Sequence, residues 1–117
     1  MLFSVDPDSP VGLAEQIASQ VRGALASGRL TPGDKLPPAR ELAAGLAVNT
    51  HTVLRAYSAL RDEELIELRR GRGAHVRPTV DVDLIALDEE IRALLAAANR
   101  LGISRAQLVR QIEQVSA

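Results

Sequence analysis

The chain has 117 residues, no cysteine, no tryptophan, one phenylalanine and one tyrosine, with 14 basic against 15 acidic side chains. That length holds one small domain with at most an appendage, and it offers no thiol for a disulfide or a cysteine-ligated metal. Two aromatics are too few for the stacking platforms that hold single-stranded nucleic acid, and at a net charge of -1 any nucleic-acid binding must come from a local patch.

The leader Phe3-Ser4-Val5-Asp6-Pro7-Asp8-Ser9-Pro10 reads as a short extended piece closed by a turn. It lacks the basic-then-apolar layout of a signal peptide. No run in the chain approaches the roughly 18 apolar residues of a membrane span, so a cytoplasmic protein without a membrane partner is expected. Leu13, Ile17, Val21 and Leu25 then recur at helical spacing, and Gly28 with Thr31-Pro32-Gly33-Asp34 stops this first helix. A short second helix follows Pro38, with Leu42, Ala43 and Leu46 inward. Asn49 is placed to cap a third, its side chain accepting from the amide of Thr52. The third helix buries Val53, Ala56, Tyr57 and Leu60, an i, i+3, i+4, i+7 stripe, and turns His51, Thr52, Arg55 and Ser58 to other faces.

Leu65-Ile66-Glu67-Leu68-Arg69 and Ala74-His75-Val76-Arg77 are two short strands about Arg70-Gly71-Arg72-Gly73, hence a hairpin. The fold class is mainly α with a small β-hairpin: a winged helix-turn-helix over residues 1–78, followed by a C-terminal α-helical hairpin over residues 79–117. In that second segment, with four basic against six acidic residues, Leu84, Leu87, Ile91, Leu94, Leu95, Ala98 and Leu101 keep helical spacing up to Gly102. Ser104 caps a last helix carrying Leu108, Val109, Ile112 and Val115. Two such helices cannot bury both stripes against each other, so they need the first domain or a partner chain.

Residues 69–77 hold four arginines, His75 and no acid, the clearest basic patch on a near-neutral chain. Taken alone this is as well explained by a solvated hairpin; behind a helix-turn-helix it points to duplex DNA, with the third helix in the major groove and the basic turn on the backbone or minor groove. Gly71 and Gly73 allow close approach to a groove, although a tight turn needs glycine as well. Against an enzyme, His51 and His75 lie in different elements and no nucleophile, base and acid come together. Asp81, Asp83, Asp88, Glu89 and Glu90 read as a helix N-terminus favoured by the macrodipole rather than a metal site. No cofactor is expected.

Leu30-Thr31-Pro32-Gly33-Asp34-Lys35-Leu36-Pro37, Arg40-Glu41-Leu42-Ala43, Val48 through Tyr57 and Gly71-Arg72-Gly73 together resemble the GntR family of bacterial transcription regulators, in order through about 70 residues. Asn49 through Tyr57 and the two-helix tail resemble its YtrA subfamily, whose short C-terminal segment is associated with dimerisation. The resemblance implies that Arg40 on the second helix and Asn49, Thr50, His51, Thr52 and Arg55 on the third contact DNA, with Arg70, Gly71, Arg72 and Gly73 at the wing tip. Local alternatives are a pair of Arg40 with Glu41 or Glu15, a purely capping role for Thr52, and a merely solvated His51. The resemblance further implies dimerisation through the tail, by Leu84, Leu87, Ile91, Leu94, Leu95, Leu101, Leu108 and Ile112.

The chain departs from the family pattern at Pro38, where a capping serine is usual, and at Thr50 and Leu54, where many relatives carry base-reading arginines. The first helix also lacks an aromatic common in this type. These departures shift the expected readout toward His51 and Arg55.

The expected function is thus a sequence-specific regulator, a repressor acting as a homodimer on a symmetric operator with half-site centres about 34 Å apart. Two other readings stand beside it. One is a winged helix that docks on protein, to which the apolar Leu54 on the third helix lends support. The other is a regulator with a small-molecule effector site at the dimer interface, since a 39-residue tail cannot enclose a pocket alone.

Overall fold

The stripe Ile17, Val21 and Leu25 does form a helix: in the computed structural model, which describes residues 2–116, α1 spans Leu13–Ser27 and stops at Gly28 with φ 81°. The leader before it is held by two glutamines one helical turn apart. Gln20 exchanges bonds with the amide and carbonyl of Ser4, at 3.0 and 2.6 Å. Gln16 does the same for Asp6 at 2.8 and 2.9 Å. An extended backbone with no strand to pair with is thereby satisfied by side chains.

Next come α2 (Ala39–Leu46) and α3 (Thr50–Asp62), joined only by Ala47, Val48 and Asn49. Ala47 lies in the left-handed region with φ 55°, so that its amide can close on the last turn of α2. Asn49 caps α3 as expected, but it accepts from the amide of His51 at 2.8 Å rather than from Thr52. The short side chain reaches the second helical amide, and the Thr52 amide closes on the Asn49 carbonyl instead, at 3.0 Å. Leu42 and Ala43 of α2 are buried, while Leu46 is half-buried.

The hairpin pairs β1 (Ile66–Arg69) with β2 (Gly73–Val76), Ile66 opposite Val76 and Arg69 opposite Gly73. Residues 33–36 lie along the other edge of β2. The Gly33 amide donates to Val76 at 3.0 Å, Val76 to Asp34 at 2.8 Å and Leu36 to Ala74 at 2.9 Å. The wing therefore leans on the linker between the first two helices, a pairing without hydrophobic alternation to announce it.

One core joins these elements: Ile17, Val21 and Leu25 from α1, Val53 and Leu60 from α3, Ile66 and Val76 from the hairpin. The tail consists of α4 (Val82–Arg100), capped by Asp81, and α5 (Arg105–Gln114), capped by Ser104 in a reciprocal box with Gln107. Gly102, φ 72°, turns the chain between them. The tail is seated on the head by α4 packing against α1, with Ile85, just off the expected stripe, entering the main core. Among the described residues no helix is long and apolar enough to cross a membrane.

Candidate nucleic-acid interface

The face that α3 leaves uncovered follows from what it buries. Val53, Ala56, Tyr57 and Leu60 go into the core, and His51, Leu54 and Arg55 are exposed on the other side, with Thr50 and Ser58 half-buried at its margin. Thr52 does not belong to that front. Its position four residues before Ala56 puts it on the buried flank, 7% exposed, so it is not available to a ligand in this conformation. Leu54 is 42% exposed and shares the open face with His51 and Arg55.

Two contacts fix α3 behind this front. The Tyr57 hydroxyl donates to the carbonyl of Pro37 at 2.6 Å, tying the middle of α3 to the loop before α2, and burial raises its phenol above the ordinary value. At the other end Glu63, the residue on which α3 closes, accepts from Arg22 Nε at 2.9 Å and Nη2 at 2.6 Å. Arg22 also reaches Glu15 at 2.7 Å. Burial alone would pull its guanidinium pKa down; the hydrogen bonds and charges of Glu63 and Glu15 outweigh this and raise it, so Arg22 stays charged. The pairing of Arg22 with Glu63 spans 41 positions, and nothing in the local sequence pattern marks it.

Arg40 is exposed in the first turn of α2, and Glu15, a candidate partner for it, belongs to Arg22 instead. Among the described residues Arg40, Arg55, Arg70 and Arg72 make no ion pair, whereas Arg69 is drawn to Glu67 at 2.9 Å. The turn 70–72 is exposed throughout. Gly71 and Gly73 have φ 78° and 75°, and a Cβ built on either would meet no atom of the chain, so backbone conformation alone explains both glycines. His75 stands back from the tip, half-buried, with Nδ1 unpartnered. Three successive elements thus expose four uncommitted guanidinium groups, an imidazole and one apolar side chain. Arginines of this kind suit phosphate and guanine edges.

On the tail, Leu84, Leu87, Ile91, Leu94, Leu101 and Ile112 are exposed. Two residues expected beside them are not: Leu108 is 7% exposed and Leu95 half-buried. Leu108 and Ala98 are buried apart from the main core, where α5 folds back on α4.

A family profile described as "Bacterial regulatory proteins, gntR family" matches residues 13–76. The chain is 33% identical over 121 residues to the HTH-type transcriptional repressor YtrA of Bacillus subtilis, covering 99% of this chain and 93% of that one. Among solved structures, YtrA from Sulfolobus acidocaldarius, a GntR-family transcription factor, superposes with a TM-score of 0.60 at 40% identity, over 78% of this chain and 95% of that one. The DNA-binding domain of AraR in complex with operator ORX1 superposes with a TM-score of 0.58 at 24% identity, over 64% of this chain and 95% of that one, a likeness of fold.

Proposed function

Since the chain belongs to the GntR family of bacterial transcriptional regulators and carries their DNA-binding winged helix, we propose that it acts as a homodimeric repressor on a two-fold symmetric operator. The observation that carries the DNA part of this reading is the outward display of His51, Leu54 and Arg55 along one face of α3, with Arg40 on α2 and Arg70 and Arg72 at the hairpin turn exposed and unpaired. In this assignment α3 enters the major groove. Arg55 reads a guanine edge, His51 a neighbouring acceptor, and Leu54 packs on a thymine methyl, a place for the one apolar residue of the front. Arg40 and the wing tip hold phosphates and set the register.

The homodimer is supported by the tail. Eight large apolar side chains of the tail stay exposed, among them Leu84, Leu87, Ile91 and Leu94 on one side of α4, and apolar surface gathered in this way marks an interaction site. Pairing two tails covers it and places two reading heads on one duplex. Repression is the activity that the Bacillus relative's name carries, and a dimer bound across a promoter blocks access to it.

The test is a binding selection from random duplexes with purified protein, repeated at two salt concentrations, with sedimentation to count chains. An inverted repeat bound by a dimer is expected. Affinity should fall linearly on a log–log salt plot, with a slope near -0.9 for each phosphate neutralised. Recovery of no symmetric site, or binding by a monomer, would overturn the reading.

A further inference from the structure

The reading helix and the tail meet at one carboxylate. Glu63, which closes α3, is held by Arg22 from α1 and also accepts from Arg92 Nη2 of α4 at 3.4 Å. Arg92 in turn lies 3.6 Å from Glu89, one turn back on its own helix. Ile85, Glu89 and Arg92 follow one another by four and three residues, so they share a face of α4, and Ile85 on that face is buried in the head. Leu84, Leu87, Ile91 and Leu94 lie on the far side and stay exposed. One helix therefore carries the head on one face and the unburied stripe on the other.

We propose that Arg92 is a positioning residue for operator reading: through Glu63 it sets the direction in which α4 leaves the head, and thereby the separation and rotation of the two reading helices once two tails pair. This rests on the homodimer reading above. Ile85 anchors the beginning of α4 and α1 packs along it, while Arg92, two turns further on, ties the same helix to the end of α3 and so fixes its direction relative to that helix. Its partner is the residue that caps the end of the reading helix, so the tail is indexed to α3 as well as to α1. An exposed ion pair shifts an equilibrium by at most roughly fivefold, too little to hold a fold and enough to choose among tail poses of similar energy. Arg92 itself touches no DNA in this arrangement.

The experiment compares the full-length protein with Arg92→Lys, Arg92→Ala and Arg92→Glu. Each is bound to duplexes carrying the selected half-site as an inverted repeat at stepped centre-to-centre separations, and to a duplex with a single half-site. Sedimentation and thermal unfolding are measured alongside. Arg92→Glu sets a third carboxylate against Glu63 and Glu89, and Arg92→Ala serves in its place if that variant does not fold. The wild-type protein should prefer one separation. Arg92→Ala and Arg92→Glu should flatten or shift that preference by roughly fivefold with unchanged single half-site affinity, and Arg92→Lys, which keeps the charge, should recover it. A dimeric variant with the wild-type separation profile overturns the inference, as does a loss that is equal at every separation. A wild-type chain that sediments as a monomer and reads a lone half-site overturns the homodimer reading, and this one with it.

Discussion

Tyr57 and Pro37 are joined by a 2.6 Å hydrogen bond that ties the middle of the reading helix to the loop in front of the supporting helix. This bond keeps α2 and α3 in register although only Ala47, Val48 and Asn49 connect them. Tyr57→Phe leaves the Pro37 carbonyl without its donor and should cost about 1 kcal/mol of stability, read from urea unfolding. Burial raises the phenol above its ordinary 10.0, so the unfolded chain ionises first. Its contribution is complete below that pH and is lost as pH rises above it. The wild-type protein should lose stability in strong alkali more steeply than Tyr57→Phe, and equal slopes would remove this assignment.

Arg55 and Thr52 should separate cleanly, because one is exposed and the other buried on the same helix. Arg55→Ala should cost about 1 to 3 kcal/mol in operator affinity and relax selectivity at one base pair, with unfolding unchanged. Thr52→Ala should do the reverse, lowering stability by about 1 kcal/mol while leaving base selectivity as it was. Binding isotherms on the selected site and on single-base variants, beside melting curves, distinguish the two.

Glu63→Ala removes both hydrogen bonds that Glu63 supplies to a buried guanidinium and leaves Arg22 with Glu15 alone. Losing one partner of such a pair costs about 3 kcal/mol, a large share of the total stability of a small domain. A midpoint in urea that does not move would show that Arg22 finds water or another acceptor.

Ile91→Asp places a charge within the exposed tail stripe, away from the head. The chain should stay folded by circular dichroism, sediment as a monomer, and lose the advantage of an inverted repeat over a single half-site. A charged Ile91 variant that remains dimeric would move the interface elsewhere.

Ala47→Gly should stabilise the protein. A left-handed residue with a Cβ costs about 1 to 2 kcal/mol, and glycine gives back about 0.4 to 1 of that through the freedom of the unfolded chain. The net gain of roughly 0.5 kcal/mol would appear as a small rise in Tm with unchanged DNA affinity.

Where side chains repeat along a helix, the structure could be read from the sequence. Val53, Ala56, Tyr57 and Leu60 face inward as their spacing requires, and Ser104 makes the expected cap, with Gln107 closing the box from the other side. Errors arose at the margins of those stripes. Thr52 lies within one residue of the buried face and was turned by packing, Leu108 of the expected tail stripe is buried where α5 meets α4, and Ile85, outside that stripe, enters the head. Contacts between distant residues left no periodic trace: Arg22 with Glu63, and residues 33–36 along β2, depend on the finished fold. The exposure of Arg40, Arg55, Arg70 and Arg72 was legible because arginine on a helix front or hairpin tip has few other places to go. Leu54 stood out in the sequence as the apolar residue that the third helix did not need for its core stripe, and the structure leaves it exposed.

The edge contact between residues 33–36 and β2 also bears on how the chain folds as it is made. Lys35 and His75 are bridged across that edge, with α2 and all of α3 lying between them in sequence. On a ribosome the linker must wait unpaired until β2 has emerged, and closing so long a loop is slow because its entropy is lost before the contacts repay it. The reading helix can wind early from its own cap, but its final seating comes with this last closure. A nascent chain halted inside the hairpin would hold α3 by Pro37 and Arg22 but without Val76 to complete the core behind it, and specific operator binding would strengthen only after the wing is complete.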